Sequence, residues 1–434
     1  MAASACASVE VGRKLRLGVV GLGRAFMLML PTLAHHPRLR LIAAADPREE
    51  AREQFSADFG ANGYATVDDL CADRDVEAVY IASPHQFHVA HVKAAAAQGK
   101  HILVEKPMAL TVEECEEMTD VARRAGVHLI VGHSHSFDAP YLRTRAMIDS
   151  GAFGPVRMIT AINFTDYLYR PRRPEELSTE LGGGAVFSQA PHQVDIVRLL
   201  GGGRVRTVRA GTGAWDRRRP TEGAYSAFMT FEDGAFASVT YSGYGHFDTD
   251  EFCGWIGEMG QTRSEAEYGA GRRLLATVAG PNEEASLKNK RAYGLGVSAA
   301  SSRIGGAVAH NHFGLVVVSC ETADLRPLPQ GVMIYADEER RLEAIAPPDI
   351  PRAEVIDELV DAVVGACAPL HTGEWGTATT EVCLALLQSA REDRSIQLKH
   401  QVGIGERASS GPERAAGSPF RLSSADEPAQ ETRT

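Results

Sequence analysis

The 434-residue chain carries 45 Lys and Arg against 56 Asp and Glu, a formal net charge of -11, with 44% hydrophobic residues. That is enough length and apolar content for two substantial cores, and it excludes disordered, collagenous and small disulfide-framework proteins. The acidic balance argues against nucleic acid as a partner, because phosphate binding wants a basic face.

The N-terminus has no apolar signal core, and residues 1–13 are expected to be a flexible lead-in. From Leu15, LRLGVV reads as a buried strand, GLGRAF as a tight turn and MLMLPTLAHH as a helix with an internal proline. LRLIAAAD, AVYIAS, HILVEKP and VHLIVGHS read as further strands, with helices HVAHVKAAAAQ and TVEECEEMTDVARRAG between them. The second helix has a threonine cap, early acids and Gly126 as its stop. Apolar strands alternating with helices predict an α/β fold: a doubly wound parallel sheet over residues 14–137. From residue 138 the strand-like runs lengthen and become richer in β-branched and aromatic residues. Asp233-Gly234 marks a hairpin within TFEDGAF. Residues 138–400 are therefore expected to form a second α/β domain with a large, mostly antiparallel open sheet. Helices are expected at YLRTRAMIDSG, APHQVDIVRLLG, AEVIDELVDAVVGA and TATTEVCLALLQSARE. Residues 260–309 read as an insertion or long loop, and 401–434 as a disordered tail. Seven widely spaced cysteines without a CxxC fit a reduced, cytoplasmic protein. With no run of 18 apolar residues, no membrane partner is expected.

The strand-turn-helix at the start carries Gly21 and Gly23, the first two glycines of a dinucleotide fingerprint; Phe26 stands where the third would be. Gly21 permits the turn, and Gly23 lets the backbone of Arg24, Ala25 and Phe26 approach a pyrophosphate at the helix start. A bulky Phe26 demands a wider helix–strand spacing. Asp46, at the end of the second strand, suits a ribose hydroxyl and favours NAD. Arg48 could soften that preference, leaving NADP possible. Ser83 and Pro84, followed by His85 and His88, close the fourth parallel strand along the dinucleotide.

Glu105 and Lys106 follow HILV and so emerge at the carboxyl edge of the sheet, where ligands bind. A partly desolvated Lys106 can hydrogen-bond a reacting hydroxyl, stabilise alkoxide charge and act as a base. In GGGAVFSQAPHQVD, His192 and Asp195 lie three apart on one helix face, so a carboxylate could orient a proton-accepting imidazole. Asp195 could equally fix the helix start. Ser188 and Gln189 precede them as hydrogen-bonding partners. Arg170, Arg172 and Arg173 in RPRRP could pair with a substrate carboxylate or form a solvated loop. Other histidines, including His85, His88, His91, His133, His135, His310 and His312, lack metal-site spacing, and no metal is expected.

In order, GLGRAF, Asp46, ASPHQFH, GKHILVEKP, GGGAVFSQAPHQVD, GVMIY, HTGEWG and EVCLALLQSARE resemble the Gfo/Idh/MocA oxidoreductases over residues 14–400. The resemblance implies a Rossmann domain joined to a sheet domain that often forms homodimer or homotetramer contacts. It implies oxidation or reduction of a carbon–oxygen centre on small polyhydroxylated rings with NAD or NADP. Lys106 matches the lysine of the EKP motif, His192 the acid–base histidine and Asp195 the acid after it. Many sugar and inositol members carry an aspartate where Ser188 stands, and an asparagine where His85 stands. NFTDYLYRPRRPEEL, GGGAVFSQAPHQVDIVRLLGGG and VVVSCETADLRP are similar to the dihydrodiol dehydrogenases of phthalate and chlorobenzoate breakdown. That likeness implies an anionic ring substrate. Lys106 and His192 would remove a hydroxyl proton, and one or more of the RPRRP arginines would hold the ring carboxylate. A sugar or cyclitol substrate, and a non-catalytic nucleotide sensor, are the competing readings.

Charge supports an anionic ligand. Residues 138–309 hold 20 basic against 19 acidic side chains, whereas 310–400 hold 7 against 15. The near-neutral middle contains RPRRP and the His192 helix, and the acids of 310–400 are expected on solvent faces.

Overall fold

The computed structural model describes residues 13–132, 134–294, 308–365 and 367–405. Strands β1 (Leu15–Val20), β2 (Leu39–Ala45), β3 (Asn62–Tyr64), β4 (Ala78–Ile81), β5 (His101–Val104) and β6 (Leu129–Val131) form a parallel sheet in the order β3-β2-β1-β4-β5-β6. The inner strands β1, β4 and β5 and the strand β6 are almost fully buried, as expected for strands covered on both faces, while the edge strand β3 is exposed. The cover comes from α1 (Arg24–His35), α2 (Glu49–Phe59), α3 (Val67–Ala72), α4 (His88–Ala97) and α5 (Val112–Ala125). Local signals act as read: Thr111 Oγ1 accepts from the Glu114 amide, and Gly126 ends α5 at φ 69°.

The second sheet has nine strands: β7 (Val156–Phe164), β8 (Val205–Gly213), β9 (Ala224–Phe231), β10 (Phe236–Ser242), β11 (Leu315–Cys320), β12 (Ala323–Leu328), β13 (Gly331–Ala336), β14 (Arg340–Ala344) and β15 (Ile396–Gln397). Every pairing is antiparallel except β7 with β10. The Asp233-Gly234 hairpin joins β9 to β10, with Gly234 at φ 92°. One face packs on α6 (Ala139–Asp149), α7 (Gly184–Ser188), α8 (Ala190–Leu200) and part of α12 (Gly373–Glu392), while Met158, Phe228 and Phe236 stay exposed on the other.

Three boundaries differ from the sequence reading. Residues 260–294 are an arm rather than only a loop, with helices α9 (Ala270–Ala276) and α10 (Pro281–Asn289). The arm ends by burying Tyr293 in the Rossmann core, edge-on to Phe26 at 5.3 Å and near Phe55. Helix α11 (Ala353–Val363), expected in the second domain, returns to the first: Val355, Ile356, Leu359 and Val360 join the cluster of Leu15, Phe26 and Leu30. Arg38 fixes it there through Asp357 and Asp361. Residues 401–405, assigned to the tail, are built into the second domain, where Gln401 and the Val402 carbonyl accept from Arg198. Residues 1–12, His133, 295–307 (the end of the expected 260–309 insertion), Ala366 and 406–434 lie outside the described residues.

Candidate functional site

The β1–α1 turn has the features of an anion cradle. Gly21 sits at φ +90°, where a Cβ would lie 3.0 Å from the Ser83 backbone; around Gly23 nothing approaches within 4 Å. No side chain caps α1, so its first amides, from Arg24, Ala25 and Phe26, keep donors for a pyrophosphate. Asp46 is buried and accepts from the Leu22 amide at 2.8 Å and from Arg48 Nε at 3.0 Å. Arg48 also donates to the Leu22 and Tyr293 carbonyls, so it is bound into the loop rather than held out toward a phosphate. Phe26 needs no empty wedge between helix and strand, because Tyr293 and Phe55 fill the space around it. Open turn, uncapped helix and buried acid together fit a dinucleotide.

The histidines after Pro84 depart from the expected cofactor contacts. Both ring nitrogens of His88 face main-chain carbonyls, Met108 at 3.1 Å and Ser83 at 3.0 Å, and the ring is buried. His85 reaches the Leu181 carbonyl at 3.1 Å, against the glycine run, where a Cβ on Gly182 would lie 2.6 Å from its Nε2. Those glycines are the price of a close crossing between the two domains. Ser83 Oγ pairs with His91 at 2.9 Å.

Lys106 stands at the end of β5, and its Nζ donates to the Ser188 carbonyl at 3.1 Å. Ser188 thus contributes its backbone to the lysine. Burial pushes the Lys106 ammonium below its ordinary pKa, with Glu105 and Glu258 opposing. Glu105 is buried and accepts from Tyr80 Oη, so it supports the strand end from behind.

His192 lies on buried α8, one turn after Gln189, whose side chain is only half-buried. The His192 ring meets Phe313 at 5.2 Å and, edge-on, His135 at 4.9 Å. His135 was noted in the sequence only as a histidine outside any metal-site pattern. Its Nδ1–H donates to Asp138 at 2.7 Å and its Nε2 faces Glu258 at 3.5 Å. Burial opposes its charge, but Asp138 and Glu258 outweigh that and raise it to about 9. Burial would raise Glu258, yet His135 and Arg170 hold it at about 2. An imidazolium–carboxylate pair therefore stands beside His192. His135 and His312 were visible as spaced histidines; nothing local marked Glu258.

Two expectations are corrected. Asp195 does not orient His192. Its carboxylate accepts from Ser134, Ser136, the Trp375 indole and Thr379, making it a buried junction between α8, α12 and the turn after β6. Nor do the RPRRP arginines form a free basic patch. Arg172 donates to the Tyr167 carbonyl and stacks on its ring, Arg173 pairs with Glu175 at 3.1 Å, and Arg170 pairs with Asp166 at 2.9 Å. Of the three, only Arg170 lines the cavity of about 520 Å³ that extends from Glu258 and His312 past Asn163 to Arg291. Among the described residues no cluster of His, Cys, Asp and Glu could hold a metal ion, and no helix is long and apolar enough to cross a membrane.

Residues 15–133 match the oxidoreductase family with an NAD-binding Rossmann fold, and 141–262 match the GFO/IDH/MocA C-terminal domain. The chain is 50% identical over 380 residues to the 1-carboxy-3-chloro-3,4-dihydroxycyclohexa-1,5-diene dehydrogenase of Comamonas testosteroni, covering 87% of this chain and 96% of that one. It is 28% identical over 280 residues to a dTDP-3,4-didehydro-2,6-dideoxy-alpha-D-glucose 3-reductase of Streptomyces violaceoruber, covering 63% and 80%. A crystal structure from Bordetella bronchiseptica RB50 superposes with a TM-score of 0.83 at 43% identity, over 89% of this chain and all of that one.

Proposed function

Because the chain belongs to the Gfo/Idh/MocA oxidoreductase family, we propose that this NAD-dependent dehydrogenase oxidises a carboxylated cis-dihydrodiol to the corresponding catechol. The observation that carries the substrate is the 50% identity, over 87% of the chain, to a relative named for a carboxylated dihydroxycyclohexadiene. NAD, when bound, supplies the hydride acceptor. Lys106, desolvated and aimed by the Ser188 carbonyl, hydrogen-bonds the substrate hydroxyl and stabilises the oxygen as its proton leaves. His192 is the second proton-handling group, and the His135–Glu258 pair fixes the charge next to it. One C–H and one O–H bond break and a C=O forms; the resulting dienone tautomerises to the aromatic catechol, which draws the reaction forward.

NAD is preferred over NADP in this reading, since Asp46 would repel a 2′-phosphate and Arg48 is already bound to the loop. The exposed sheet face with Met158, Phe228 and Phe236 supports a homodimer or homotetramer. A substrate panel read at the reduced-nicotinamide absorbance, with NAD and NADP in parallel, tests the assignment. Turnover of a carboxylated cis-dihydrodiol is expected, and turnover of inositol or a hexose without it overturns the reading. A purely sensory role fails if Lys106→Ala abolishes turnover while NAD still binds.

A further inference from the structure

The cavity beside Glu258 contains more charge than a neutral ring needs, and most of that charge is already neutralised by the protein. Arg170 is paired with Asp166, and Arg263 with Asp250 and Asp248 at 2.6 and 2.7 Å. Asp250 also faces His312 at 3.5 Å, and Glu258 faces His135. Glu267 is exposed at the rim. Arg291 is different: it lines the cavity, and no carboxylate lies within ion-pair distance of its guanidinium among the described residues. Its nearest charged neighbours include Arg24, whose guanidinium it repels.

The backbone that presents Arg291 is held on both sides. Before it, Glu284 pairs with Arg219 at 2.8 Å and accepts from the Arg172 amide at 2.7 Å, while Lys288 pairs with Glu176. The Arg291 amide donates to the Lys288 carbonyl at 3.1 Å. Two residues later Tyr293 is buried in the Rossmann core, its amide donating to Leu22 and its hydroxyl to Asp58. An exposed guanidinium with no anion among the described residues, carried at a cavity wall by a backbone tethered on both sides, is available as a fork for a carboxylate.

We propose that Arg291, supplied by the arm, takes the carboxylate of the substrate and sets the preference for acidic over neutral rings; this rests on the dihydrodiol reading above. Arg172 then supports the arm instead of contacting the ligand, since its amide holds Glu284 of α10, while Arg170 faces the cavity already paired with Asp166.

The test uses the full-length enzyme saturated with NADH and calorimetric titration of 3,4-dihydroxybenzoate against catechol. In wild type the acid is expected to bind more tightly. In Arg291→Gln its affinity is expected to fall about tenfold or more, with catechol unchanged, and Arg291→Lys should lie between because it keeps charge but not the bidentate fork. Equal loss for both ligands, no loss, or no binding of the acid to wild type overturns the proposal. So does a fall in NADH affinity, which would assign Arg291 to the pyrophosphate. Turnover is scored separately. A wild type that oxidises inositol but not the dihydrodiol sinks the functional reading, while selective loss of the acid in Arg291→Gln still stands for Arg291.

Discussion

Lys106 illustrates what a residue's position in sequence can disclose. A lysine directly after a buried parallel strand must emerge at the carboxyl edge, and there it meets Ser188 from the other domain. Lys106→Met is expected to lower kcat by about 10²–10⁴-fold, the usual contribution of a proton-transfer group, with NAD affinity by titration nearly unchanged. His135 could not be ranked from sequence, because its role depends on Glu258, which no motif marks. Its folded pKa, raised to about 9, lies above the ordinary value near 6.5. The stabilisation from its charge is therefore complete below about pH 6.5 and is lost as pH rises through about 9. Thermal melts across that window should show a falling Tm in wild type and a flatter profile in His135→Gln; parallel profiles would reject the buried imidazolium. Asp195 carries the opposite lesson. Spacing put it on the face of His192, but its partners Ser134, Trp375 and Thr379 come from remote segments, so helical periodicity could not tell an orienting acid from a junction.

At the scale of elements, strands and caps were readable because their causes are local: apolar runs, Thr111, Gly126 and Asp233-Gly234. The arm was not. Its helices are short and polar, and what holds it is Tyr293 against Phe26 and Phe55, a contact with no sequence neighbourhood. The same contact explains why a bulky residue is tolerated at the third fingerprint position. Tyr293→Ala should cost on the order of 3–5 kcal/mol in denaturant unfolding, typical for emptying a large aromatic site. It should also weaken NAD binding, since the main chain of residue 293, which bonds the Leu22 carbonyl and the Arg48 guanidinium, loses the ring that anchors it. Tyr293→Phe should lose only about 1 kcal/mol with the hydroxyl bond to Asp58. If NAD affinity survives Tyr293→Ala intact, the arm does not brace the cofactor loop.

Over the whole molecule, the charge distribution reads differently from its arithmetic. Most acids of the last segment face solvent, Glu321, Asp324, Asp337, Glu338 and Glu339 among them, but several are also partners: the half-buried Asp357 and Asp361 hold Arg38, Glu358 holds His371, and Glu381 accepts from the amides of Lys399 and His400. The near-neutral middle is likewise mostly paired: of its cavity-lining arginines, Arg170 and Arg263 hold acids, while Arg291 holds none among the described residues. The bare sheet face is the surface proposed above for a subunit contact. Phe228 and Phe236 lie 5.5 Å apart on it, 46% and 38% exposed. Replacing both with Glu should shift the enzyme to a smaller species in size-exclusion chromatography without loss of NAD binding. A wild type that already elutes as a monomer would end that account of the face.

The homing of α11 onto the first sheet bears on how the chain is made. The apolar groove formed by Leu15, Phe26 and Leu30 is finished only when Val355, Ile356, Leu359 and Val360 arrive. Residues up to about 363 must leave the ribosome before the first domain can close. Until then the nascent protein exposes a greasy furrow that chaperones would recognise, so its first domain should gain protease resistance late, together with the second, rather than ahead of it.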